Sequence, residues 1–161
     1  MSDAISIAIE SYLEGPIRLR HAIAGMSRDQ LIARPIAGKW TTLEVVAHLV
    51  DSEIAWCHRM RRVIAEDRPL LIGYDETKFT ATLAYNDRDL DAELRLLDAL
   101  RNQMAVILRA LPESAWSREG VHNERGLIRL DEMVRVETEH VLHHIQQIDE
   151  KRKVLRSSET T

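Results

Sequence analysis

A single cysteine, Cys57, stands among 161 residues, so no internal disulfide can form and no cysteine pair exists for a thiolate zinc site. Six glycines and four prolines are too few for collagen, a disordered linker or a turn-rich all-β sandwich. Long apolar runs are missing as well. The N-terminal apolar stretch is broken by Glu10 and Glu14, and no segment approaches the ~18 uncharged apolar residues of a membrane span. Met1-Ser2-Asp3-Ala4 has no basic segment of the kind that opens a signal peptide. Nor is there an excess of positive charge, the net value being −4, which removes the global electrostatic case for nucleic-acid binding. What is present, 45% hydrophobic and 30% charged residues, is the composition of a globular chain. A chain of this length buries roughly 70% of its unfolded surface and needs no covalent staple. The expectation is a soluble, cytoplasmic, single-domain protein.

Helical periodicity dominates the pattern. A first helix over residues 3–24 sets Ile5, Ile9, Leu13, Ile17 and Ile23 near one face, with Gly25 as its stop. Pro16 inside it predicts a kink or a break into two pieces. Ser27 with Gln30 reads as a capping box opening a short helix that Pro35 ends, and Thr41 with Glu44 as a second. The helix after Thr41 should reach about residue 66, and its start, with Val45, Val46, Ala47, Leu49 and Val50, is apolar enough to be buried nearly all round. Residues 69–86 carry no sustained period and read as a long crossover with room for one turn of helix. A third helix covers about 87–111, residues 116–128 form a short hairpin or an irregular loop, and a last helix covers about 130–154. Residues 1–155 make the domain, and a tail over 156–161 is expected to fray. Four long helices without an internal repeat predict an all-α four-helix bundle, in which the long crossover lets helices two and three run parallel.

Seven histidines are the feature that asks for a function. His140 and His144 stand one turn apart on the last helix and can grip one metal ion. At about 100° per residue, Val134, Val141, Ile145 and Ile148 point to the core. His140 and His144 then fall on one flank with Met133 and Glu137, and His143 points into water. A polar boundary of the core is the competing reading of the pair. His48 sits within the most apolar helix, where burial without a partner is costly. A hydrogen-bonded core histidine is one explanation. A third ligand is the other, because helices two and four as antiparallel neighbours bring the three rings to compatible heights. Three imidazoles leave an open position, as in catalytic zinc sites. His21, His58 and His122 have no comparable placement, although His122 could reach a pocket mouth. Glu137-Thr138-Glu139-His140 matches half of a di-iron motif, but helix two offers only Glu44 and His48 at the wrong spacing.

Gly38-Lys39-Trp40-Thr41-Thr42-Leu43-Glu44-Val45-Val46-Ala47-His48-Leu49 resembles the signature of the DinB superfamily, in which a Trp-Ser/Thr pair caps a helix bearing a histidine. Gly25-Met26-Ser27, Pro35, Asp51, Glu53 and the His140/His144 pair follow in similar order, so the resemblance spans about residues 9–150. It implies an up-down-down-up four-helix bundle, often a homodimer, holding one divalent ion, zinc or nickel, on three histidines. By motif these are His48, His140 and His144. It also implies hydrolysis, transfer of low-molecular-weight thiols such as bacillithiol, or mycothiol-dependent isomerisation.

Such a site can make hydroxide for hydrolysis or stabilise a thiolate, and an adjacent group must then handle protons. Glu137, one turn before His140, and Ser52, one turn after His48, are the candidate catalytic residues. A solvated carboxylate and a packed small residue are their bland readings. The expected function is a metal-dependent enzyme acting on a small molecule, a hydrolase or a low-molecular-weight-thiol S-transferase, without nucleic-acid or membrane partners. A non-catalytic metal-binding dimerisation bundle is the alternative.

Overall fold

Capping decides where two of the helices begin. In the computed structural model, which describes residues 2–159 and side chains through residue 157, Ser27 Oγ accepts from Gln30 N at 3.2 Å and Ser27 N donates to Gln30 Oε1 at 3.0 Å. This box opens α2 (Arg28–Ile32), which follows α1 (Asp3–Ile23). Thr41 Oγ1 accepts from Glu44 N at 3.0 Å and Thr41 N donates to Glu44 Oε2 at 2.7 Å, opening α3 (Thr42–Ala65). The expected crossover follows, and it is more structured than its sequence suggests. It contains β1 (Leu70–Leu71), the two-turn α4 (Glu76–Thr82) and a 3-10 turn over Tyr85–Asp87. Then come α5 (Leu90–Ala110), β2 (Glu119–His122), β3 (Gly126–Arg129) and α6 (Leu130–Glu159).

α1 and α3 each pack on both α5 and α6. One buried cluster joins Ile9 and Tyr12 of α1, Met60 and Val63 of α3, Met104 and Leu108 of α5, and Leu130 and Val134 of α6. A second joins Leu19 and Ile23, Val45 and Leu49, Leu94 and Leu97, and Val141 and Ile148. The start of α1 and of α6 thus lies at the same end as the finish of α3 and of α5. This is the up-down-down-up bundle, with α3 and α5 parallel.

The residues after α5 resolve as a hairpin, β2 pairing antiparallel with β3. β1, which no periodicity announced, pairs parallel with β2 through Leu70↔Val121 and Leu71↔His122. A small three-stranded sheet therefore closes one end of the bundle and holds the crossover against the residues leading into α6. α6 continues through Glu159, past the point where a frayed tail was expected. Residues 160 and 161 of that tail lie outside the described residues.

α1 is unbroken at Pro16, and the reason lies on α5. Proline cannot donate to the carbonyl four residues earlier, here Tyr12 O, and Arg101 Nη1 donates to that oxygen at 2.7 Å instead. A Cβ at Gly15 would collide with Arg101 Nη1, so glycine is what admits the guanidinium. Arg101 is fully buried, pairs through Nε with Glu53 Oε2 at 2.7 Å, and donates through Nη2 to Glu137 O at 3.0 Å. The Tyr12 hydroxyl donates to the other oxygen of Glu53. One guanidinium on α5 thereby ties α1, α3 and α6 together.

Candidate metal centre

The first turns of α3 and the middle of α6 meet at their histidines. His48 Nε2 lies 3.1 Å from His140 Nε2, and His144 Nε2 lies 3.0 Å from the same atom. One ring nitrogen from each lies within 4.8 Å of the others. His48 and His144 are buried and His140 is partly so. Burial first, and the neighbouring His140 ring second, push His48 down to about 4 and His144 down to about 3. Both are therefore neutral near pH 7 and offer lone pairs rather than charge.

The hydrogen bonds around the rings set their tautomers. His144 Nδ1 faces Gln147 Oε1 at 3.1 Å. Since the amide oxygen can only accept, His144 carries its proton on Nδ1 and points a lone pair from Nε2 into the cluster. Gln147 Nε2 in turn lies 2.9 Å from His143 Nε2. His140 Nδ1 lies 3.4 Å from Ser52 Oγ and 3.8 Å from Glu137 Oε1. Three converging Nε2 atoms cannot all be satisfied by protons at these separations, whereas one cation satisfies three lone pairs at once. Ligand bonds of about 2.0–2.1 Å in a tetrahedral set would separate the nitrogens by about 3.4 Å, close to the 3.1 and 3.0 Å at which His140 Nε2 stands from His48 and His144. The residues present fit a divalent ion.

Both acid–base candidates reach this centre, but neither environment was legible in advance. Glu137 is buried rather than solvated, and burial raises its carboxyl above the usual range. Ser52 is buried 3.5 Å from Glu137 Oε1. Glu44 is consumed by its cap, by Arg34 at 2.6 Å and by Asn86 at 2.8 Å. Asp51 anchors the crossover, taking Tyr85 Oη at 2.8 Å and Arg88 through two bonds of 3.1 Å. His143 is exposed, as its helical phase required. His21 and His58 line other surface hollows.

Trp40, the residue before the cap, covers one side of the centre, its ring 5.0 Å from His48 and 6.5 Å from His144. On the His140 side a cavity of about 360 Å³ opens, bounded by α3, α6, the crossover and the hairpin turn. Ser52, Glu137 and His140 form one wall, and Trp56, Arg59, Tyr74 and His122 are among the residues that line the others. Burial pushes the Tyr74 phenol up to about 12, so it stays a donor. Sequence reasoning passed over Trp56 and Arg59, although His48, Ser52, Trp56 and Arg59 follow one another at helical spacing on α3. Tyr74 carried no signal, because it sits in the aperiodic crossover.

A family model described as the DinB superfamily matches residues 13–148. The chain belongs to the DinB superfamily. Among DinB relatives, a protein of Geobacillus thermodenitrificans provisionally named a metal-dependent hydrolase is 30% identical over 149 residues, covering 90% of this chain and 82% of its own. One from Oceanobacillus iheyensis with the same provisional name is 29% identical, covering 83% of this chain and 77% of its own. The solved structure of YfiT from Bacillus subtilis, described in the same provisional terms and noted for an unusual four-helix bundle topology, superposes with a TM-score of 0.89. It is 27% identical and covers 96% of this chain and 90% of its own. A mycothiol-dependent maleylpyruvate isomerase shares the fold at a TM-score of 0.71 and 18% identity, with this chain spanning 60% of its length.

Proposed function

We propose that this chain is a metal-dependent hydrolase of a small molecule, holding one divalent ion, zinc or nickel, on His48, His140 and His144. The convergence of the three Nε2 atoms beside a cavity carries the reading, and the provisional names of its DinB relatives support it. An ion held there supplies a Lewis acid that polarises a carbonyl or phosphoryl oxygen and acidifies water.

The chain's own groups do the rest. Gln147 holds His144 in the tautomer that frees Nε2, and Ser52 orients the His140 ring from its Nδ1 side. Glu137 holds and returns the proton at Oε1, its affinity for protons raised above the usual carboxylate range by burial. Trp40 excludes water from the closed side, and substrate enters from the His140 side. The reading includes a homodimer in the cytoplasm, which sedimentation and fractionation would check.

Metal content after purification without a histidine tag, followed by hydrolysis of a panel of small esters and amides with and without chelator, tests the proposal. One ion per chain is expected, retained in His143→Ala and lost in His144→Ala. Hydrolysis should disappear on chelation and fall by about 10²-fold or more in Glu137→Gln. Full metal content in a His48/His140/His144 triple alanine variant would refute the site. Chelator-resistant hydrolysis would refute the chemistry.

A further inference from the structure

We propose that the cavity beside the histidines receives the carboxylate of a small organic acid, and that Arg59 is the residue that binds it. The inference deepens the hydrolase reading by naming a substrate class, and its test is run without metal so that the two fail separately.

Arg59 is 6% exposed. Among the described residues its one hydrogen bond runs from Nη2 to Ile72 O at 2.7 Å, and it forms no ion pair. The other buried arginine, Arg101, is neutralised by Glu53 at 2.7 Å. An unpaired buried cation is expensive, and an anion brought by a ligand is the partner that removes the cost. The guanidinium lies 5.0 Å over the Trp56 ring and 5.9 Å from that of Tyr74. Arg125 approaches the Trp56 ring at 5.8 Å, and His122 stacks on it at 6.1 Å. Arg59 also borders the hollow under α4, but the charged groups that act on it, Glu137, Glu124 and Arg125, all line the cavity. The Tyr74 hydroxyl, on the cavity wall and held protonated by burial, adds a second donor.

The charge that fits is a single one. Glu76, Glu124, Glu137 and Glu139 also line the cavity. Glu139 is paired with Arg135 at 2.8 Å, while Glu76 and Glu124 remain to repel a dianion. The planar fork of a guanidinium matches a carboxylate. Trp56 and Val136 offer apolar surface to the body of the molecule, and the volume is that of a small-molecule site.

The experiment is calorimetric titration of the chelator-treated full chain with benzoate, its neutral isostere benzamide, and phenylphosphonate. Benzoate is expected to bind about tenfold tighter than benzamide, as befits a charge-assisted hydrogen bond, and tighter than phenylphosphonate. Arg59→Gln should lose that preference, weakening benzoate about tenfold and leaving benzamide within about twofold. Arg59→Lys, which keeps the charge without the fork, should retain the preference at lower affinity, and circular dichroism confirms that each variant folds. Equal binding of benzoate and benzamide to the wild type, no benzoate binding, tighter phenylphosphonate binding, or benzoate binding unchanged in Arg59→Gln would each overturn the proposal. A chain that binds benzoate as expected but holds no metal refutes the hydrolase reading alone. One that holds metal on its histidines but ignores benzoate refutes this inference alone.

Discussion

Replacing Arg101 with methionine tests the buried junction of the bundle most directly. The substitution strands Glu53, wholly buried, with the Tyr12 hydroxyl and the Cys57 thiol as its remaining side-chain hydrogen-bond partners among the described residues. Breaking one side of a buried ion pair costs about 3–5 kcal/mol. It also strips Tyr12 O of its one strong donor, because Pro16 has no N–H, and an orphaned buried carbonyl costs about 1–3 kcal/mol more. The expected loss is about 5 kcal/mol, a large fraction of the ~5–15 kcal/mol that holds a domain together. The carbonyl's share can be isolated. In a Pro16→Ala background residue 16 supplies an N–H to Tyr12 O, so Arg101→Met should cost about 1–2 kcal/mol less there. Urea unfolding of the four proteins, followed by far-ultraviolet circular dichroism, gives the cycle. A loss under about 2 kcal/mol in Arg101→Met, or a loss that is the same in the wild-type and Pro16→Ala backgrounds, would refute the reasoning.

Two further outcomes follow from burial. Lys151 is buried, and desolvation lowers it to about 8 from about 10.5. The unfolded chain therefore binds more protons than the native one between those values. Stability should rise through this window as pH increases, and the rise should vanish in Lys151→Met; urea midpoints at pH 7, 8, 9 and 10 would decide it, and an unchanged slope in the variant would count against the argument. Cys57 is fully buried, its thiol pushed up to about 12 by burial and by Glu53. A disulfide reagent such as DTNB at pH 8 should leave it unmodified in the folded chain and react once urea unfolds it, and rapid labelling without denaturant would contradict the burial.

Much of the bundle was legible before any coordinates because the forces that start helices act within one turn. The Ser27/Gln30 and Thr41/Glu44 boxes need only their own four residues, and both are made as read. His140 and His144 share a flank because helical geometry puts them there, and the same geometry left His143 outside. The unbroken apolar start of α3 announced a helix buried all round, and its residues from Thr42 to Val50 are all buried.

What only the tertiary structure decided are the features that depend on which surfaces meet. Two residues of β1 become a strand because β2, about fifty positions later, offers open hydrogen-bonding groups. Pro16 is tolerated mid-helix because a guanidinium on α5 reaches the carbonyl it leaves unpaired. Glu137 is buried rather than solvated because α6 lays it against α3 and under Arg101. The cavity wall of Arg59 and Tyr74 exists because the crossover is pinned across the end of α3 by Asp51 and by the sheet. A periodicity tells which side of a helix turns inward, but the partner it meets there, and so its charge state and its chemistry, are set by groups far away in the chain.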